Sequence, residues 1–249
     1  MQVLQEVTMT IKIPGFDKPD TTIKHRMILN IEGLEKQGKT HFALTAPGPL
    51  AFFDIDIGTE GVIHKFTTGK EIIVSEHKIP KDAASSEGFD FVAAWQEFYN
   101  RLQAVLKHPQ VRTVVIDTMT EVWELLRMAR FGRLSQVKSH HYGPVNAEMR
   151  ELIREAYEYG KNFIMIHKMK PQYVDDQWNG KYDRAGFKDI GFLSQLSIEL
   201  SFDEGEFTAT CRDCRHDMSL CGMDLSGPMC NFPTLAQMVF PNSDAGDWS

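Results

Sequence analysis

The run Gly33-Leu34-Glu35-Lys36-Gln37-Gly38-Lys39-Thr40 constrains this chain more than any other stretch. It matches G-x-x-x-x-G-K-[ST], a phosphate-binding loop whose successive N–H groups point inward as a nest for anionic oxygens. Gly33 and Gly38 let the backbone turn where a side chain would clash. Lys39 brings a cation to the β- and γ-phosphates, and the Thr40 hydroxyl suits Mg²⁺. Such a loop works only with a strand in front of it and a helix behind. Both flanks comply. Met27–Ile31 reads as a buried strand and Thr40–Ala46 as a helix start, whose dipole favours phosphate.

The alternation continues along the chain. Leu50–Asp56 is a second buried strand that ends in carboxylates, and Ile57–Gly61 leads away from it. Glu71–Ile79 reads as a short strand. Helical spacing over Phe89–Lys107 sets Phe91, Trp95, Phe98, Leu102 and Val105 on one face. Val111–Asp117 is an apolar strand closed by Asp117, a pattern suited to holding Mg²⁺. Thr120–Arg133 and Asn146–Tyr159 read as helices, the second burying Met149, Ile153 and Ala156. Asn162–Ile166 is a fourth buried strand, followed by His167. Pro171–Gly186 reads as a polar, turn-rich loop, Leu196–Phe202 and Glu206–Arg215 as a hairpin, and Phe232–Phe240 as a short helix. Val7–Ile13 alternates like one more strand before the breaks at Pro14 and Pro19.

Strands alternating with helices predict an α/β fold, a mostly parallel sheet flanked by helices with a C-terminal β-hairpin. The expected organisation is one domain over 1–249. Residues 1–25 form an N-terminal strand extension, 26–215 the core and 216–249 a C-terminal tail. Ligands in such sheets sit at the carboxyl ends of the strands. Thr40, Asp56, Asp117 and His167 all fall at those ends.

Charge limits the partners. The net charge of −7 argues against wholesale wrapping of nucleic acid but leaves room for a local basic patch. One exists: Arg127, Arg130, Arg133 and Lys138 occur with no acidic residue between 127 and 147. The N-terminus lacks the cationic start and apolar run of a signal peptide, and no run is long enough to span a membrane. The expectation is a cytoplasmic protein with no membrane partner. Its cysteines, Cys211, Cys214, Cys221 and Cys230, are then expected to be reduced and free of zinc, because Phe207, Ala209 and Cys211 alternate as one strand face.

The order of these motifs resembles the RecA-like ATPase core over roughly residues 26–215. The residues that carry the resemblance are the phosphate loop, Phe53-Asp54-Ile55-Asp56, Val114-Val115-Ile116-Asp117-Thr118 and Phe163-Ile164-Met165-Ile166-His167-Lys168. Within that group it looks most like the short, phage-type proteins associated with single-strand annealing and recombination. The resemblance implies ATP and Mg²⁺ as cofactors, single-stranded DNA as partner, a ring or filament of identical subunits, and a single-strand-binding protein as a possible further partner. It also implies a phage-encoded protein in a host cytoplasm. Asp56 stands where the family's water-activating carboxylate stands, with Glu60 as the alternative base. His167 occupies the place of the γ-phosphate sensor. The DNA-facing segments would be 127–145, with Arg127, Arg130, Arg133, Lys138 and Tyr142, and 171–186, with Tyr173, Trp178, Lys181 and Tyr182. A cation from a neighbouring subunit often completes such sites, and Lys188 and Arg215 are the candidates. The rival readings are a P-loop kinase for a small substrate and a nucleotide-gated DNA-binding module without turnover.

Overall fold

A computed structural model describes residues 13–80, 87–132 and 137–248. The strand expected over 7–13 and the basic residue Arg133 thus fall, wholly or nearly so, outside the described residues.

The first half of the chain contains β1 (Ile28–Glu32), α1 (Lys39–Leu44), β2 (Leu50–Asp54), β3 (Ile72–Glu76), α2 (Phe91–Lys107) and β4 (Thr113–Asp117). Then come α3 (Met119–Phe131), α4 (Tyr142–Glu158), β5 (Asn162–Ile166), β6 (Met169–Val174) and β7 (Gln177–Arg184). The last part holds α5 (Ile190–Leu193), β8 (Leu196–Asp203), β9 (Glu206–Cys214), β10 (Asp224–Ser226) and α6 (Phe232–Val239). Among the described residues, eight strands form one sheet in the order β10-β9-β8-β1-β5-β4-β2-β3. The strands run parallel from β8 to β3. β9 and β10 extend the sheet antiparallel.

Strand periodicity sends alternate side chains to opposite faces, and each face has its own core. Leu29, Ile31, Phe52, Val115, Ile164 and Ile166 pack against α1 and α6. Ile28, Phe53, Val114, Ile116, Phe163 and Met165 pack against α2, α3 and α4. Strands covered on both faces read as unbroken apolar runs, which is why the central ones are evident in the sequence. Asp90 caps α2 by accepting from the N–H groups of Val92 and Ala93. Phe91, Trp95, Phe98 and Leu102 turn inward as expected, with Leu106 beside them.

Three expectations need correction. Segment 171–186 is not a loop: β6 and β7 form a two-stranded antiparallel hairpin separate from the main sheet. α4 begins at Tyr142 rather than Asn146, because Pro144 falls in its first turn, where a missing N–H leaves no bond unmade. Strand β10 was not anticipated, being only three residues long.

Strand order fixes the site. Ile166 of β5 is level with Ile31 of β1 on one side and with Asp117 of β4 on the other. β5 therefore delivers its last residues between the phosphate loop and Asp117.

Candidate functional site

The phosphate loop joins β1 to α1. Gly33 has φ +152° and Gly38 φ +84°, and a Cβ at either would collide with the sheet's C-terminal extension. At Gly33 it would lie 2.5 Å from the Leu200 carbonyl oxygen, and at Gly38 2.8 Å from the Phe207 ring. Both glycines are therefore dictated by space and by backbone conformation. Leu34, Glu35 and Lys36 at the crest are exposed, and Gln37 is half-buried beside Gly38.

Lys39 folds back over the loop, its Nζ donating to the carbonyls of Gly33 (2.8 Å) and Leu34 (2.5 Å). Burial lowers its pKa, as does the Lys168 ammonium, against the opposing pull of Asp117, Glu35 and Asp56. The Thr40 hydroxyl donates to Asp117 Oδ2 at 2.7 Å. Asp117 is 4% exposed. Burial pushes its carboxyl up to about 6; the Thr40 hydrogen bond opposes that, while Asp54 adds to it. A hydroxyl and a carboxylate oxygen at this separation form the hard, all-oxygen donor set that suits Mg²⁺. The turn after β2 closes over the same oxygens, since a Cβ on Gly58 would lie 2.5 Å from Asp117 Oδ2 and 3.4 Å from Thr40 Oγ1.

Buried Asp54 shapes that turn. It accepts from Gly58 N (2.8 Å), Thr59 N (3.1 Å) and the Thr59 hydroxyl. Three bonds to one carboxylate fix the course of the segment that carries Asp56 and Glu60. Asp56 Oδ2 lies 3.0 Å from Lys168 Nζ. The same ammonium lies 2.5 Å from Glu121 Oε1, in the first turn of α3. Glu60 is exposed and lines, with Asp54 and Asp56, a cleft of about 700 Å³ at the carboxyl ends of β2 and β3.

His167 is fully buried, and neither ring nitrogen makes a hydrogen bond in good geometry. Burial drives its pKa down to about 3, and nearby Arg184 lowers it further, so the ring is neutral. Sequence reasoning missed two residues here. Asp54 read only as a strand end, and Lys168 only as the last residue of the motif that closes β5.

The expected DNA residues divide. Arg127 pairs with Glu124 (2.6 Å) and Arg130 with Glu148 (2.7 Å), so both guanidinium groups already have carboxylate partners. Tyr142 packs against Trp123 and Phe131. Lys138 is exposed. On the hairpin, Tyr173 pairs with Trp178 and Pro171 with Tyr182, which puts the rings on one face. Tyr173 is 63% exposed and Trp178 55%. Trp178 meets Tyr182 edge to face at 5.9 Å, and its Nε1 donates to the Lys181 carbonyl. Exposed Lys188 follows in the chain, and Arg215 donates to the Phe192 carbonyl. The cysteines are unbridged, and burial pushes the Cys211 thiol up to about 12. Among the described residues no group of three or more His, Cys, Asp or Glu is arranged to hold a metal ion.

A phosphate loop at the head of a parallel sheet, with carboxylates converging at the strand ends, defines a RecA-like P-loop nucleotide-binding fold. The comparisons agree. Residues 25–189 match the AAA domain family, and the chain belongs to it. In fold it is similar to the RadB recombinase, with a TM-score of 0.50 and 14% identity over 80% of this chain and 86% of that one. No curated protein matches the sequence. No helix among the described residues is long and apolar enough to cross a membrane.

Proposed function

We propose that this protein binds ATP with Mg²⁺ and hydrolyses it, and that turnover serves single-stranded DNA in recombination or strand annealing, as in the phage-type proteins it resembles. One observation carries the reading. Lys39, Thr40, Asp117 and Asp56 converge at one end of the sheet. The aromatic hairpin is rooted at that same end, where Lys168 N donates to Thr120 Oγ1 and Ala185 N to the Lys168 carbonyl.

In this reading the loop amides and Lys39 hold the β- and γ-phosphates and stabilise the charge that develops as the bond to the leaving group breaks. Thr40 and Asp117 would hold Mg²⁺, which would supply positive charge against the phosphates. Asp56 orients the attacking water, and Glu60 is the alternative base. His167, neutral and buried, supports the strand end rather than donating charge. Single strands are favoured over duplex because Tyr173, Trp178 and Tyr182 offer stacking surfaces that need unpaired bases. Lys138 and Lys181 supply phosphate contacts, while Arg127 and Arg130 would first have to leave their carboxylates. A ring or filament, a cation donated in trans, and delivery by a single-strand-binding protein belong to the same reading.

The test is steady-state phosphate release from Mg–ATP with and without single-stranded DNA. DNA-stimulated release supports the reading. Slow release that DNA leaves unchanged, together with ATP-dependent DNA binding, would point instead to a gated binding module. The cleft beside Asp56 favours one other reading, a kinase with a small acceptor. ADP formation without free phosphate would reveal it.

A further inference from the structure

We propose that Lys168 is the residue through which this site recognises the γ-phosphate, and that it covers Asp56 until a triphosphate arrives. The proposal rests on the nucleotide-binding reading above.

Topology puts Lys168 in place. β5 ends between β1 and β4, with Ile166 level with both Ile31 and Asp117. The next two residues turn to opposite sides. His167 goes into the interior, where it stays neutral. Lys168 emerges on the side of the carboxylates. Its backbone is fixed at both ends, N to Thr120 Oγ1 at 3.0 Å and O to Ala185 N at 2.8 Å. Only the side chain is free to change partners.

That side chain bridges Asp56 and Glu121. It remains a cation, because those two carboxylates outweigh its partial burial. The charges of Lys168, Asp56 and Asp117 all reach Lys39, so one small volume holds the two ammonium groups and these carboxylates. Lys39 is similarly held on the carbonyl oxygens of Gly33 and Leu34. Each lysine is thus held by protein oxygens that phosphate oxygens can replace. Lys39 lies over the loop that receives the β-phosphate. Lys168 lies beyond it, over the carboxylate that faces the attacking water.

A diphosphate satisfies Lys39 and leaves Lys168 on Asp56. A triphosphate adds an anion within reach of Lys168. As the ammonium turns to it, the cation against Asp56 moves off and the carboxylate becomes a stronger acceptor for a hydrogen bond from water. Glu121 keeps the lysine close through the exchange. The water-orienting carboxylate becomes available only when its substrate is present.

The experiment is calorimetric titration of Mg–ADP and of a non-hydrolysable Mg–ATP analogue into wild type, Lys168→Met and Lys168→Arg. Wild type should prefer the analogue. Lys168→Met should lose about tenfold or more of that preference, the size of one charge-assisted hydrogen bond. The loss should come from weaker analogue binding, with ADP affinity unchanged. Lys168→Arg should keep most of the preference. If Lys168→Met does not fold, Lys168→Gln, which leaves the backbone bonds intact, should show the same loss. Equal weakening of both nucleotides, or an unchanged preference, would overturn the assignment. A wild type that binds with the stated preference but releases no phosphate would sink the hydrolysis reading, and with it the covering of Asp56, and leave γ-phosphate recognition by Lys168 standing. Binding of neither nucleotide would sink both.

Discussion

Replacing Asp117 by Asn should make the ligand-free protein more stable while disabling its metal site. Asp117 is buried, and its carboxyl titrates near 6 in the fold against an ordinary 3.8. That displacement corresponds to roughly 3 kcal/mol at 1.36 kcal/mol per pH decade, a ceiling because relaxation and water lower it. The folded state holds the proton more tightly than the unfolded chain does. Its stabilising contribution is therefore fully present below 3.8 and is lost as pH rises through 6. Near neutral pH the buried anion weakens the fold. Asn removes the charge and keeps an oxygen for the Thr40 hydroxyl. A domain of this size shifts by about 2–4 °C per kcal/mol, so the ceiling on the gain is about 6–12 °C. Thermal denaturation in EDTA across mildly acidic to neutral pH reads this directly. Asn should melt above wild type at neutral pH, with the gap closing as pH falls toward 4. Adding Mg–ATP should raise wild type and leave the variant where it was. An Asn variant that is less stable at neutral pH, or a gap that does not change with pH, would show that burial of the charge is not what sets this carboxyl.

Lys39→Ala should keep the fold and lose nucleotide hydrolysis, because Nζ donates to loop carbonyls rather than packing in the core; a folded variant with parental phosphate release would refute the site. Asp56→Asn should retain nucleotide affinity and lose turnover, since a water-orienting group acts on the transition state; full activity would move that role to Glu60. Gly38→Ala should destabilise the protein by about 1–3 kcal/mol in chemical denaturation, since it adds left-handed strain to a clash with Phe207. An unchanged midpoint would mean that the loop can shift freely. Trp178→Ala should weaken single-strand binding by about 1–3 kcal/mol without altering the salt slope, whereas Lys181→Ala should reduce that slope by about 0.7. Identical binding isotherms would take the hairpin out of the DNA surface.

Residues whose environment is uniform were readable from sequence. β2, β4 and β5 are apolar because both of their faces are covered, and polar residues at or just beyond their ends mark the site. α2 shows its buried stripe in its spacing. The hairpin β6–β7 was hidden for the opposite reason. Its faces are open, so apolar residues are sparse, Pro171 and Gly180 break the run, and Asp175-Asp176 look like loop punctuation. Side-chain pairing was also out of reach. That Arg130 would find Glu148 depends on how α3 packs against α4, whereas Arg127 meets Glu124 one turn away on its own helix. The importance of Lys168 depends on β5 lying between β1 and β4, an order that no local pattern encodes.

The two glycines of the phosphate loop also bear on where this protein can be divided. The matched family region ends at residue 189, yet the wall against which Gly33 and Gly38 are fitted is supplied by Leu200 and Phe207. A fragment cut at that boundary would keep every residue of the nucleotide motif. It would also leave β1 with an unpaired edge where β8 now lies, and the loop with nothing to press against. Motif and mould are encoded in different parts of the chain. The surroundings that shape the loop therefore extend at least through β9, beyond the matched region.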